Sequence, residues 1–261
     1  MAVIYYMSGT GNSLSVAQQL GQLLNARIEG MSAYLAAPYL IEDEVVGIVT
    51  PVYCLALPAL AEKFLQQVQL GTPRYLFCVA TMGAMAGQTL AQARKILTTR
   101  KQCLTAGFSI ALPDNSIVFP SPAKHKALLL SREKTAVGEI ALAVKQRQVN
   151  SSHLHRNPLW RLVTVVGWWV LRAVYKVDEK KVYRGQCIKC GLCAKICPTQ
   201  AIPMENGYPV FKTGCTTCFG CAHGCPEQAI TLGRLTPTGT SKYVHPQTSA
   251  QTLAKQKELR K

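Results

Sequence analysis

The sequence predicts two folded units in one chain: an α/β unit with a doubly wound, five-stranded parallel sheet, then a small α+β unit organised around cysteines. Three observations predict this. Residues 1 to about 148 alternate short apolar runs with helical patterns, which build a parallel sheet with helices on both faces. The first apolar run leads into Ser8-Gly9-Thr10-Gly11-Asn12-Ser13, a strand-to-helix loop of small residues. Eight of the 11 cysteines fall between 187 and 225, in two runs of identical spacing.

Element by element, Ala2–Met7 reads as a buried strand and Ser13–Asn25 as a helix. Arg27–Met31 is a short strand and Val45–Thr50 a strongly apolar one. Pro58–Val68 is helical, Arg74–Ala80 a strand and Gln88–Arg100 a helix. Cys103–Leu112 is the fifth strand and Ala123–Gln148 a long helix. The unit so bounded, 1–149, has the length of one doubly wound domain. A basic connector, 150–181, holds Trp160, Trp168 and Trp169. The cysteine unit spans 182–233. Residues 234–261 are polar and basic, and read as a partly disordered tail with a short helix over Thr252–Arg260.

Lys and Arg number 29 against 13 Asp and Glu, a formal charge of +16. That excess favours acidic partners: nucleic acid, an anionic membrane face or an acidic protein. The basic residues are dispersed and no recognised nucleic-acid motif occurs, so no nucleic acid is expected. The start, MAVIYYMSGTGNS, lacks both a basic segment and a long apolar segment, so it does not read as an export signal. The expectation is a cytoplasmic chain in which cysteine means metal or catalysis rather than disulfides.

Residues 187–202 and 215–230 repeat at an offset of 28, each reading C-x2-C-x2-C-x3-C-P. This is the spacing of two-cluster bacterial ferredoxins, in which the fourth cysteine of each run binds the other cluster. On that pattern Cys187, Cys190, Cys193 and Cys225 hold one [4Fe–4S] cluster, and Cys215, Cys218, Cys221 and Cys197 hold the other. Zinc is the alternative, but four ligands suffice for it and these runs supply eight. His223 stands between Cys221 and Cys225 and reads as a polar neighbour, since the cysteine set is complete. Cys78 and Cys103 fall inside predicted strands and read as core, while Cys54 falls in a loop.

Residues 8–13 place backbone amides and hydroxyls at a helix N-terminus, a phosphate cradle. No Gly-Lys-Ser/Thr follows, which excludes a Walker A loop, and Leu14 stands where a dinucleotide fingerprint wants glycine. In open α/β sheets the ligand lies beyond the carboxyl ends of the strands. The loops expected there are Pro51-Val52-Tyr53-Cys54-Leu55-Ala56, Thr81-Met82-Gly83 and Asp114-Asn115, with Tyr53 either stacking on a ring or simply lining its loop.

The S-G-T-G-N-S loop, the P-V-Y loop, the L-P-D-N segment and the doubled cysteine run together resemble fusions of a flavodoxin-like domain with a bacterial-type two-cluster ferredoxin domain. The resemblance spans most of residues 1–232 and implies FMN and two [4Fe–4S] clusters in a cytoplasmic redox protein, with no defined substrate. Ordinary flavodoxins are acidic and this chain is basic. The expected role is electron transfer between FMN and the clusters, with an acidic redox protein as partner. The alternatives are an iron–sulfur redox sensor or interaction module with an empty flavin pocket, and a membrane-associated flavin quinone reductase. For 158–176, a helix packed between the two units is the first expectation, and peripheral contact with the inner face of a membrane the second.

Overall fold

The chain is seen in a computed structural model that describes residues 1–150 and 158–258. Connector residues 151–157, the side chain of Trp160 and the far end of the expected C-terminal helix (259–261) lie outside the described residues.

The central sheet comprises β1 (Ala2–Tyr6), β2 (Arg27–Gly30), β3 (Val45–Pro51), β4 (Tyr75–Met82) and β5 (Ala106–Ala111). All pairings are parallel and the order is β2-β1-β3-β4-β5. That is the doubly wound order of the flavodoxin-like class, with its switch point between β1 and β3. Side chains alternate across a strand, so each strand feeds two cores. Val3, Tyr5, Val46, Ile48, Leu76 and Cys78 face one side; Ile4, Tyr6, Val49, Tyr75, Phe77 and Val79 face the other.

Helices cover both faces. Helices α1 (Asn12–Leu24) and α5 (Ala123–Lys145) cover one, through Leu14, Val16, Leu20, Val137 and Ile140. The opposite face is covered by α2 (Met31–Ala36), α3 (Ala59–Gln67) and α4 (Thr89–Thr99), through Tyr34, Leu60, Phe64, Leu90 and Leu97. Phe64 packs between Tyr5 and Tyr34 with ring centroids 5.1 and 5.3 Å away. Truncating such a ring to Ala costs about 3–5 kcal/mol. The fifth strand begins three residues later than expected, so Cys103 lies in an exposed turn and not in the core. Cys78 is fully buried.

The cysteine unit follows α6 (Pro158–Trp169), whose last turns widen to a π-helix over Val170–Val174. Strand β6 (Lys180–Val182) pairs antiparallel with β9 (Ile230–Leu232), and β7 (Met204–Glu205) with β8 (Tyr208–Pro209). Short helices α7 (Leu192–Ile196) and α8 (Gly220–His223) carry Cys193 and Cys221. The 28-residue repeat is written in the backbone: Lys189 and Thr217, Gly191 and Phe219, and Gln200 and Gln228 all take left-handed conformations. Cys193, Cys197 and Cys221 share one small core with Ala201, Ile202, Ala222, Ile230 and Leu232.

The tail differs most from expectation. Residues 234–258 are folded against both units, with α9 (Ala250–Ala254) and a 3-10 turn over Lys255–Lys257. His245, Leu253 and Gln256 are buried. Scattered polar anchors hold the tail together with a few apolar residues, Leu253 on the α/β core and Leu235 on the cysteine unit's core. Among the described residues, no helix is long and apolar enough to cross a membrane.

Candidate functional site

The loop after β1 opens α1 without a side-chain cap, because Gly11 takes φ 107°, a left-handed conformation. The first-turn amides of α1 precede the first helical bond, from Ser15 N–H to Gly11 O at 2.9 Å. They are the unmatched donors that every helix start presents to an anion. Ser8 Oγ accepts from Gly11 N–H (3.0 Å), and the Ser13 and Thr81 hydroxyls are 2.8 Å apart, tying the loop to the end of β4. Together with Pro51–Tyr53, Thr81–Gly83 and Pro113–Asn115, the loop lines a cavity of about 30 Å³. One water needs about 10–15 Å³, so the space suits a small anionic group such as a single phosphate.

A larger cavity of about 400 Å³ adjoins it and shares Val52, Tyr53, Gly83, Asp114 and Asn115. Cys54 and Leu55 line its floor in a tight turn with φ of 46° and 60°, closed by reciprocal bonds between Tyr53 and Ala56. Its remaining walls include Ile117–Phe119, Trp168, Leu171 and Phe219. Size and apolar lining suit a flat ring system. Ala56 is buried beside the cavity, not on its wall. Burial pushes the Cys54 thiol up to about 11 and raises the Asp114 carboxyl, the latter against hydrogen bonds from the Ser116 and Asn115 amides. Gly83 gives Asp114 its room: a Cβ there would lie 2.6 Å from the carboxylate.

The cysteines divide between two further cavities. Cys187, Cys190, Cys193 and Cys225 line one; Cys197, Cys215, Cys218 and Cys221 line the other. Each set takes three cysteines from one run and the last from the other. Among the described residues, no three metal-binding side chains gather tightly enough for a single ion. An open cavity ringed by four thiols fits a cluster better than a zinc ion. Burial pushes the Cys193 thiol up to about 11 and Cys218 up to about 12, with neighbouring thiols adding to both shifts.

The second cysteine cavity abuts the 8–13 loop. A Cβ on Gly9 would lie 2.8 Å from Cys218 O and 2.9 Å from the Tyr53 hydroxyl, so only glycine allows the loops to touch. Asn115 Nδ2 donates to Cys218 O at 3.2 Å. His223 Nδ1 accepts from Tyr243 N–H (3.2 Å), which leaves Nε2–H to donate to Asn115 O (2.8 Å). Tyr243 Oη donates to Asn12 Oδ1 (2.6 Å), and Asn12 Nδ2 donates to Pro113 O (2.9 Å). His223 is thus a fully used structural group, held neutral as burial pushes it down to about 4. The Tyr53 hydroxyl is enclosed at this junction with no hydrogen-bond partner among the described residues. Burial, then the Cys218 and Cys215 sulfurs, push it well above the ordinary phenol range.

The tail closes the other side of the loop. Gln256 accepts from Ser8 N–H and donates to Ser8 O, both at 3.1 Å, and His245 N–H donates to Thr10 O at 2.8 Å. The His245 ring donates from Nε2 to Glu133 Oε2 (2.9 Å), while Ser15 and Gln19 donate to Oε1. Sequence reasoning missed Glu133, Tyr243, His245 and Gln256. They are isolated polar residues far apart in the chain, and no spacing signals them.

The family described as "4Fe-4S binding domain" matches residues 180–202, the first cysteine run. No curated protein matches the chain. A candidate flavoprotein from Bacteroides uniformis is similar at 12% identity, covering 49% of this chain and 97% of its own, with a TM-score of 0.34. Rubredoxin oxygen:oxidoreductase from Desulfovibrio gigas is similar at 14% identity, over 56% of this chain and 36% of its own, with a TM-score of 0.33. A flavodoxin from the domain Archaea is similar at 14% identity, over 55% of this chain and 98% of its own, with a TM-score of 0.30. The fold class rests on the strand order of the sheet itself.

Proposed function

We propose that this protein relays electrons between FMN and two [4Fe–4S] clusters. In this reading residues 8–13 hold the phosphate, and the 51–56, 81–83 and 114–115 loops hold the ring. Cys187, Cys190, Cys193 and Cys225 bind an outer cluster; Cys197, Cys215, Cys218 and Cys221 bind an inner one. The observation that carries the reading is the contact between Gly9 and Cys218, which brings the phosphate loop and the inner cysteine cavity together. FMN, when bound, supplies two-electron capacity that one-electron carriers can fill stepwise.

The chain's own part is placement and exclusion. Asn115 braces the Cys218 carbonyl, Tyr53 fills the gap between loop and cavity, and His223 stays uncharged beside the cysteines. A reducing cytoplasm suits eight free thiols. Beside the outer cavity, Arg184 and Lys189 lie over the Tyr208 ring at 5.1 and 4.7 Å, and Ile188 is 61% exposed. That basic rim around an apolar spot suits an acidic redox protein.

The test is iron, sulfide, zinc and flavin content of anaerobically purified protein. About eight irons and one FMN per chain are expected. Eight irons without flavin would turn the reading toward a sensor, and zinc in place of iron would overturn it.

A further inference from the structure

Helix α6 and its π-helical continuation are apolar on both sides. Gly167, Trp168, Leu171 and Tyr175 turn inward and roof the 400 Å³ cavity. The outward face carries Leu162, Val165, Val166 and Trp169, which are 49–63% exposed. Among the described elements, α6 has no substantial packing with any helix or strand except its own continuation. Among the described residues, the helix thus covers the cavity with one face and exposes large apolar side chains on the other. A soluble surface rarely leaves so large an apolar patch without an occupant.

We infer that this outward face docks on an anionic lipid surface. Charge decides among occupants. Between 158 and 181 the chain carries Arg161, Arg172, Lys176, Lys180 and Lys181 against only Asp178 and Glu179. Two of these cations are offset locally, Arg172 by Asp178 (3.2 Å) and Lys176 by Glu179 (3.4 Å), and the others add to a chain of formal charge +16. A second copy on this face would bring the same positive charge against itself, whereas anionic headgroups neutralise it. The helix is too short to span, and a Trp on an apolar face edged by Arg suits the headgroup boundary. Phe119, 81% exposed on the rim of the same cavity, adds an apolar anchor.

The test is flotation of the full-length protein, purified with its cofactors, on vesicles of phosphatidylglycerol with phosphatidylcholine, against phosphatidylcholine alone. Val166→Glu and Trp169→Glu are compared with wild type. Both positions are exposed, so iron and flavin content is expected to stay unchanged and serves as the folding control. The expected result is binding to the anionic vesicles that weakens with salt and falls about tenfold or more in either variant. Equal binding of wild type and variants, or no binding of wild type to anionic vesicles, would overturn the inference. So would a wild-type dimer in sedimentation velocity that Trp169→Glu dissociates, since the occupant would then be a second copy.

Discussion

The two cysteine cavities come from one duplicated unit, yet their surroundings differ. The outer one opens beside the exposed Ile188 and Cys190, with Lys189 and Arg184 at its rim. The inner one is walled by Cys197, Cys218 and Cys221, all under 10% exposed, and leans on the 8–13 loop at Gly9. The repeat fixes equivalent backbone turns in both halves. What each half touches is set by the α/β unit and the tail: the tail packs on α7 of the first run, where Lys257 donates to Ala194 O at 3.0 Å, while Gly9 and Asn115 of the α/β unit meet Cys218 of the second. Duplication thus supplies two equivalent sets of four cysteines, and the contact of the α/β unit with Cys218 makes their surroundings unequal.

That inequality can be broken from either side. The largest effect is expected for the cysteines themselves. Cys190→Ser should lose about four of about eight irons and keep its flavin, whereas Cys218→Ser should lose a similar share of iron and flavin as well. Equal flavin content in the two variants would remove the asymmetry. Next is the tail anchor. Glu133→Ala strands the His245, Ser15 and Gln19 donors and should cost about 3–5 kcal/mol in urea unfolding, with loss of flavin ahead of iron.

The same carboxylate predicts a pH effect. Burial alone would raise Glu133, but hydrogen bonds from His245, Ser15 and Gln19 outweigh it and hold the group below its ordinary 4.5. Its stabilisation is therefore complete above that value and is lost as pH falls through the lowered folded-state value. The stability gap between wild type and Glu133→Gln should shrink in acid below about pH 4.5. A gap independent of pH would show that the charge plays no part.

A smaller contrast comes from two glycines. Gly9→Ala drives a methyl group into Cys218 O and Tyr53 and should lower flavin retention. Gly191→Ala meets no atom within 4 Å and should cost only the left-handed strain, about 1–2 kcal/mol in thermal unfolding, with both cofactors kept. The smallest effect is expected at the rim. Lys189→Glu should slow reduction by an acidic carrier protein several-fold at low salt and leave cofactor content untouched, an effect that vanishes at about 1 M salt.

Much of this architecture was legible in the sequence because it rests on periodicity and spacing. Short continuous apolar runs at Ala2–Tyr6 and Val45–Pro51 mark buried strands, small residues mark the 8–13 loop, and the cysteine runs carry their own register. Other features were not legible. Helix α2 spans six residues, too few for a helical period to emerge. Cys103 looked like strand because it leads into the apolar stretch that reaches Leu112, but the pairing of β5 starts only at Ala106. The tail looked unstructured because its attachment is polar and distant: Gln256 meets Ser8 across 248 residues. For α6, the pattern gives an apolar helix but not which face is covered.

The central claim is that electrons pass from the outer site to the flavin pocket through the inner one. Its most direct test is stopped-flow reduction of the bound flavin by a reduced acidic ferredoxin, comparing wild type with Cys190→Ser. The account predicts flavin reduction slowed by about tenfold or more in the variant, with flavin content unchanged. Equal rates in the two proteins would mean that the flavin is reached without the outer site, and would contradict the relay.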